Sequence, residues 1–222
     1  MKQLIIVLLL AISLKGYPQQ VMLFRDAEIP KPTATEENIL KWNESQAGYN
    51  GLSSKEQQFY YWVNYSRQDP AKFFDSVVKP ILQVYPQLKG KNLESLESDL
   101  KNSSSLPLFS LNDTLNKMAA FHAADITSKD AKPSHNSTNG ETFGDRFKKF
   151  NLINCGGENI SYGAPNADPL FMLVLLYLDE NVPDLGHRKA LLNSSYINTG
   201  ISLKAYKNGN IFLVEDFACL QK

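Results

Sequence analysis

The part of the chain that is most informative about the fold covers residues 156–193, GGENISYGAPNADPLFMLVLLYLDENVPDLGHRKALLN. Its first residues place a carboxylate, Glu158, at the head of a short apolar segment that predicts a strand over 159–162. The apolar run over 169–179 predicts a helix, and His187 lies directly after the loop that ends it. Two polar side chains therefore stand at the ends of two predicted core elements.

Upstream of this part the sequence predicts helices. Ser53 and Glu56 form a capping pattern, and apolar residues then recur at helical spacing until Pro70. The helical pattern resumes over 71–85, with a kink or break expected at Pro80.

A third upstream helix is predicted over 111–126, where one apolar stripe follows a cap at Asn112 or Asp113. The segment 88–105 that precedes it is predicted as a polar linker that is partly helical. Shortly after it, residues 142–151 predict a short helix between glycines.

Downstream the pattern changes to strands. Residues 196–206 and 210–219 alternate between apolar and polar positions, and the KNGN of 207–210 is a hairpin-turn signal. Helices that precede strands without regular alternation are typical of the α+β class. We therefore predict an α+β fold that ends in antiparallel strands.

The composition is that of a folded protein. The chain has 222 residues, of which 43% are hydrophobic, and its 23 basic residues balance 23 acidic ones. A chain of this size buries about 70% of its unfolded surface and needs neither metal nor disulfide merely to fold. The zero net charge leaves no excess of cations for phosphate groups, so we expect no nucleic-acid partner.

The N-terminus has the pattern of a secretory signal peptide. After Met1 and Lys2, the apolar run from Leu4 to Leu14 suits a signal h-region but is shorter than the about 20 residues of a membrane span. The alternatives are an uncleaved anchor or a buried first strand. We predict a signal peptide at 1–16, no stable membrane span, and a secreted or periplasmic protein.

The remaining chain divides into an extension at 17–51 and one domain at 52–222. The extension is irregular, with several prolines and a short helical stretch near 37–42. Two cysteines, Cys155 and Cys219, fit an exported protein with one disulfide, although two cysteines alone do not make a disulfide framework.

The three histidines differ in their surroundings. His122 lies on the apolar stripe of the 111–126 helix and is predicted to be a buried histidine bonded to the backbone, whereas His135 and His187 lie in turn-rich segments. Glu158 either pairs with these imidazoles, alone or around a divalent cation, or bonds backbone N–H groups of a nearby loop. No His-Glu-x-x-His, Cys-x-x-Cys, Gly-x-Ser-x-Gly or phosphate-loop pattern is present.

A combination of short motifs, in this order along the chain, resembles the bacterial SCP-like branch of the CAP superfamily, which includes cysteine-rich secretory proteins, antigen 5 and plant pathogenesis-related proteins. The motifs are Trp-Val-Asn-x-x-Arg at 62–67, His135 with Gly140 and Arg146, Gly-Glu-Asn-Ile at 157–160, Gly-His-Arg-Lys-Ala-Leu-Leu-Asn at 186–193, Thr-Gly-Ile at 199–201 and Val-Glu-Asp-Phe at 214–217. The resemblance implies a three-layer α-β-α sandwich with a central antiparallel sheet and an open cleft.

The resemblance also implies a cleft with two His and two Glu that can hold Zn²⁺ or another divalent cation. His135, Glu158 and His187 match three of these residues. Glu180 is in register for the fourth, because Tyr177 stands where animal and plant members have a Trp. The loop that follows is shorter here, so Asp179, Asp184 or a water are alternatives for the fourth position.

Three functions are compatible with this sequence. The first is a secreted, noncatalytic module that binds an extracellular ligand (a peptide, glycan or lipid), with a divalent metal as an option. The second is a metal-dependent hydrolase of an extracellular or cell-wall substrate that uses His135, Glu158 and His187. The third is a purely structural role for these residues. Catalysis by a nucleophilic serine, Ser134 or Ser161, is disfavoured. The sequence shows none of the cysteine-rich modules that some members of the superfamily carry, so we expect no ion-channel toxin activity.

Overall fold

The computed structural model describes residues 28–221. The predicted signal peptide at 1–16 therefore lies outside the described residues. The α-helices are α1 Glu37–Glu44, α2 Ser54–Gln68, α3 Pro70–Phe73, α4 Lys79–Val84, α5 Leu93–Asn102, α6 Asp113–Ser128, α7 Phe143–Lys149, α8 Pro169–Leu178 and α9 Gly186–Leu191. The strands are β1 Ser110–Leu111, β2 Gly156–Gly163, β3 Asn198–Ala205 and β4 Ile211–Ala218.

The four strands form one sheet in the order β1-β3-β4-β2. The three long strands are antiparallel, as predicted, and β3 and β4 form the hairpin expected at the KNGN turn. The two-residue strand β1 adds a short parallel edge beside β3, which makes the sheet mixed. Strand β2 lies at the opposite edge, and this position matters for the site described below.

Helices cover both faces of the sheet, which gives the expected α-β-α layers. Alternate residues of β4 point to opposite faces: Leu213 and Phe217 join the large core with α2 and α8, whereas Phe212 and Val214 pack against α6. Helix α6 lies very close to β3, because a Cβ on Gly200 would be 2.1 Å from the main-chain carbon of Leu115. Only glycine leaves room for this contact.

Local capping explains where the main helices begin. The side chain of Ser53 accepts from the N–H of Glu56 and the Glu56 carboxylate accepts from the N–H of Ser53, which is the predicted capping box. Asn112 caps α6 in the same role by accepting from the N–H groups of Thr114 and Leu115. Asp168 caps α8.

The predicted helix over 71–85 is continuous but not regular. Between α3 and α4 the residues Phe74–Val78 form a π-helical turn directly before Pro80. Pro80 has no N–H to donate to the preceding turn. In a π-helical turn each N–H bonds to the carbonyl five residues before it, so the carbonyls near Pro80 are paired differently from those of a regular α-helix. The linker at 88–105 is more helical than expected, because Leu96 and Leu100 of α5 are buried.

Residues 28–51 pack on the rest of the molecule. Ile39 of α1 is buried, the indole N–H of Trp42 donates to the Phe109 carbonyl at 2.9 Å, and the Asn64 amide donates to Asn43 Oδ1 at 2.8 Å. The extension assignment of 17–51 stays a prediction, but its described part has its own buried contacts with α2.

Cys155 and Cys219 form the predicted disulfide, with Cα atoms 5.3 Å apart. The bond links the residue before β2 to the residue after β4, so it fastens these two paired strands together at one end of the sheet. Within residues 28–221, no helix has both the length and the apolar character needed to cross a membrane.

Candidate functional site

A pocket of about 700 Å³ lies beside the outer edge of β2. One wall is the loop 133–136, the opposite wall is α9 with residues 182–184 before it, and the floor includes Glu158 and Ile160 of β2. The volume is within the usual range for small-ligand sites. His135, Glu158 and His187 all line this pocket, so the structure brings together three of the four residues that the sequence pointed to.

Glu158 is held between an imidazole and a guanidinium. The Nδ1–H of His135 donates to Oε1 of Glu158 at 2.9 Å, and Nη2 of Arg146 donates to Oε2 at 2.5 Å. The Glu158 side chain is 1% exposed. Burial by itself raises the pKa of Glu158, but the hydrogen bond from His135 and the charge of Arg146 outweigh it and lower the pKa below its ordinary value.

Arg146 organises the loop that carries His135. Its guanidinium is fully buried, and besides Glu158 it donates to the carbonyl of His135 at 2.9 Å and to the Ser137 hydroxyl at 3.2 Å. One cation thus links α7, β2 and the loop 133–137. The position of the His135 imidazole follows from these bonds, because both its main chain and its side chain are attached to the Arg146–Glu158 pair.

His187 has a carboxylate partner of its own. Its Nδ1–H donates to Oδ1 of Asp179 at 2.6 Å, and Oδ2 of Asp179 accepts from the N–H of Arg188 at 3.1 Å. Asp179 ends α8 in a left-handed conformation, with φ 53°, and is buried. This chain reversal turns its carboxylate toward the first turn of α9.

The two imidazoles face each other across the pocket. The ring centroids of His135 and His187 are 6.4 Å apart and the ring planes differ by 26°. Each Nδ1 is bonded to a carboxylate, so the Nε2 atom of each ring remains available to a ligand. Histidines fixed through Nδ1 by a carboxylate are typical of metal-ligand and proton-transfer sites.

Glu180, the fourth predicted ligand, does not lie with the other three. Its carboxylate accepts from the N–H of Asn92 at 3.3 Å, and Glu180 is not among the residues that line the pocket. Of the two alternatives, Asp184 lines the pocket and Asp179 orients His187.

His122 is a core residue, as predicted. Its Nε2–H donates to the carbonyl of Ser134 at 2.8 Å, and the Ser137 hydroxyl donates to its Nδ1 at 3.4 Å. Burial lowers its pKa, which favours the neutral ring. His122 therefore supports the loop that carries His135 from below and does not reach the pocket.

Sequence reasoning missed the buried charges around the site. Asp216 lies opposite Glu158 in the sheet and is buried, and burial together with the charge of Glu158 raises its pKa well above the ordinary value. Arg188 is buried and donates to Asp99 at 2.9 Å and to the Tyr177 carbonyl at 2.9 Å. The available signal was the acidic pair within the apolar strand segment 211–218 and the basic residues of GHRKALLN at 186–193.

The donor set fits a divalent ion only in part. Two imidazole Nε2 atoms are available, but the Glu158 carboxylate is already bonded to His135 and Arg146. No group of three or more His, Cys, Asp or Glu side chains between residues 28 and 221 is arranged to hold a metal ion. An ion at this site would therefore be held by His135 and His187, with Glu158 and Asp179 as outer partners and with water or ligand in the remaining positions.

The sheet has helices on both faces, and the pocket with His135, Glu158 and His187 lies at its β2 edge. The chain belongs to the cysteine-rich secretory protein family, CAP, whose model matches residues 60–217. No curated protein matches the chain.

Several solved structures are similar to this chain, among them the following three. An extracellular protein with an SCP domain from Bacillus anthracis str. Ames is 26% identical, with a TM-score of 0.42 over 58% of this chain, which spans only 40% of that protein. An outer surface protein of Borrelia burgdorferi is 23% identical, with a TM-score of 0.44 over 60% of this chain and 94% of that one. Venom allergen-like protein 4 of Schistosoma mansoni is 15% identical, with a TM-score of 0.46 over 76% and 90%.

Proposed function

We propose that this protein is an exported, noncatalytic CAP domain that binds an extracellular ligand in the pocket between His135 and His187. The observation that carries the proposal is the pair of facing imidazoles, each fixed through Nδ1 by a buried carboxylate. Preorganised Nε2 atoms of this kind favour binding, because less side-chain entropy is lost when the ligand arrives.

Binding is favoured over hydrolysis by the state of Glu158. A general base needs a free carboxylate with a pKa near the working pH. Glu158 is instead paired with Arg146 at 2.5 Å, and its pKa is lowered. The carboxylate that would have to accept a proton is thus committed to a structural ion pair.

A divalent metal is the second part of the proposal. Zn²⁺ accepts imidazole nitrogen, and the carboxylates behind His135 and His187 would hold the rings in the right tautomer. When bound, the ion would supply a Lewis-acid position for an oxygen or nitrogen of the ligand. The two histidines alone would give weaker binding than a site with three or four protein ligands.

Calorimetric titration with Zn²⁺ tests the metal proposal. The chelator-treated protein is expected to bind one ion, and His187→Ala is expected to abolish the binding without unfolding the chain. Lys204→Ala is the matched control, because Lys204 is exposed on β3 away from the pocket. The proposal would be overturned if the parent protein gave no binding heat, or if the parent, His187→Ala and Lys204→Ala all gave the same heat.

A metal-dependent hydrolase is the second candidate function. The carboxylate-oriented imidazoles that favour metal binding would also serve a metal-bound water. A panel of peptides, esters and glycans tests this, with Glu158→Gln as the variant. Turnover that needs both Zn²⁺ and Glu158 would replace the binding function by hydrolysis, and an inactive panel would remove the hydrolase.

Export is supported by the apolar segment Leu4–Leu14 and by the Cys155–Cys219 disulfide. Expression of the full chain in a secreting host tests it. The mature protein in the medium or periplasm is expected to begin near residue 17, and a chain that retains Met1 in the cell would contradict export.

A further inference from the structure

We propose that the ligand is a short extended peptide whose main chain pairs with the outer edge of β2 at Glu158 and Ile160. This inference rests on the proposed function in one respect: it takes the pocket as a binding site. It adds the chemical class of the ligand and the atoms that recognise it.

The register of the sheet shows which groups of β2 face outward. The N–H of Cys219 donates to the carbonyl of Cys155 at 2.9 Å, and Glu158 lies opposite Asp216. Hydrogen-bonded pairs alternate along antiparallel strands, so Gly157, Asn159 and the other odd residues of β2 bond to β4. The N–H and C=O groups of the even residues, among them Glu158 and Ile160, therefore point away from the sheet.

The pairing of β3 with β4 leads to the same assignment of which β2 residues bond to β4. The N–H of Tyr206 donates to the carbonyl of Asn210 at 2.8 Å, which directs the even residues of β4 toward β3. The odd residues of β4 are then left for β2, as the Cys219 bond requires. Two independent hydrogen bonds thus fix the same outward phase for Glu158.

The outward groups at Glu158 reach the pocket. The Glu158 side chain is 1% exposed, yet the residue as a whole is partly exposed, so its accessible surface belongs to the main chain. Gly157 is also partly exposed and lines the pocket, whereas Ile160 contacts the pocket with only 3% of its surface exposed. No hydrogen bond within residues 28–221 is seen for the N–H or C=O of Glu158.

One end of this edge is already closed. The hydroxyl of Tyr196 donates to the carbonyl of Gly156 at 3.0 Å, which satisfies the even residue before Glu158. Pairing with a ligand would therefore begin at Glu158 and continue to Ile160. Main-chain groups spaced two residues apart match an added strand, which is a common mode of peptide recognition.

The charge and walls of the pocket favour an uncharged peptide. Glu158 is paired with Arg146, and the other charged side chains of the lining besides the histidines are one acid, Asp184, and one base, Lys189. Apolar contacts come from Pro133, Ile160, Val182 and Ala190. Small apolar side chains on alternate residues of the peptide would meet these walls, whereas a sugar would leave the regular main-chain donors and acceptors unmatched.

The test starts from a synthetic library of random linear octapeptides, acetylated and amidated so that they carry no terminal charge. The full mature chain is screened with and without Zn²⁺. The best peptide is then resynthesised with a single N-methyl group at each position in turn. An N-methyl group removes the donor and blocks strand pairing, so alternate positions are expected to lose affinity by about tenfold or more while the positions between them change little.

Amide exchange in the protein gives the second readout. Peptide binding is expected to slow exchange at the N–H groups of Glu158 and Ile160. The N–H groups of Asn159 and Ser161 are the internal control, because they already bond to β4. Failure of the library to yield a binder, an N-methyl effect without a period of two, or unchanged exchange at Glu158 and Ile160 would each overturn the inference.

Failure of this inference can be told from failure of the proposed function. Zn²⁺ binding that is lost in His187→Ala, without any peptide binding, would leave the metal pocket standing and remove the peptide. Peptide binding with an N-methyl effect at every second position, but without Zn²⁺ binding, would support the peptide and remove the metal. A chain that binds neither would remove both.

Discussion

Oε2 of Glu158 lies 2.5 Å from Nη2 of Arg146, and neither side chain has more than 1% of its surface exposed. A buried pair of this kind costs desolvation energy in both partners, so its net contribution to stability is smaller than its Coulomb attraction. Its effect here is positional. It fixes the carboxylate that orients His135 and joins the loop of that histidine to the sheet.

Removing the cation from this pair should destabilise the protein strongly. Arg146→Leu leaves Glu158 buried without its positive partner, and breaking a buried pair from one side costs about 3–5 kcal/mol. Urea unfolding measures the change, with Lys148→Leu as the control because Lys148 is exposed on the same helix, α7. Equal unfolding free energies for the two variants would show that the pair contributes little.

Removing the carboxylate of Asp179, which accepts from Nδ1 of His187, should weaken metal binding while leaving the shape of the pocket unchanged. Asp179→Asn keeps the size of the side chain but loses the charge that supports the imidazole at 2.6 Å. Loss of such an outer partner typically lowers metal affinity 10- to 100-fold, by about 1.4–2.7 kcal/mol. Calorimetry measures it. Asp184→Asn is the matched control in the same pocket, and an equal loss in both variants would refute the specific role of Asp179.

The meeting of His135, Glu158 and His187 was predictable from the sequence, because three short motifs in a fixed order carry these residues. The partners that set their chemistry were harder to predict. Glu158 was expected beside imidazoles or backbone amides, and the cation that neutralises it comes from Arg146, which the motif included without a role. Which side chain meets which across the fold depends on tertiary packing, and local spacing carries no such information.

The elements were predictable where periodicity or capping was strong. The hairpin of β3 and β4, the capping box at Ser53 and the helix after Asn112 all follow local rules. The π-helical turn Phe74–Val78 and the parallel strand β1 do not. A two-residue strand has no periodicity of its own, because it exists only through its pairing with β3.

Glu215 should make the stability of the protein fall as the pH rises. Its carboxylate is fully buried, and this burial outweighs the charge of Arg67 and the nearby Asn159 side chain and raises its pKa from 4.5 to about 8. Between these values the folded chain keeps a proton that the unfolded chain has lost. The stabilising effect of the bound proton is therefore full below pH 4.5 and disappears progressively toward pH 8.

Glu215→Gln isolates this effect, because glutamine cannot ionise. Relative to the variant, the parent protein is expected to lose up to about 1.4 kcal/mol of unfolding free energy for each pH unit in that window. Urea unfolding across the pH range measures it. Glu94→Gln, at an exposed position of α5, serves as the control. A parent and a Glu215→Gln variant with parallel pH profiles would contradict the raised pKa.

The Cys155–Cys219 bond should stabilise the end of the sheet where β2 begins and β4 ends. It joins residues 64 positions apart, and a disulfide typically contributes about 2–4 kcal/mol by restricting the unfolded chain. Replacing both cysteines by serine is expected to lower the unfolding free energy by this amount, as measured in urea. A reducing agent should destabilise the parent protein to the same level and leave the serine variant unchanged, whereas two free thiols in the secreted protein would disprove the bond.

The contact between α6 and β3 should tolerate no side chain at Gly200. A Cβ there would lie 2.1 Å from the carbonyl carbon of Leu115 and 2.3 Å from the N of Asn116, and main-chain atoms cannot move aside as a flexible side chain does. Gly200→Ala must therefore separate the helix from the sheet, at a cost of about 3 kcal/mol or more. Thermal unfolding measures the loss, and Gly51→Ala is the matched control because no atom lies within 4 Å of its Cβ position. If Gly200→Ala were as stable as Gly51→Ala, α6 would have to lie farther from β3 than the structure shows. His122 of α6 would then no longer hold the loop 133–136 at the pocket through its hydrogen bond to Ser134.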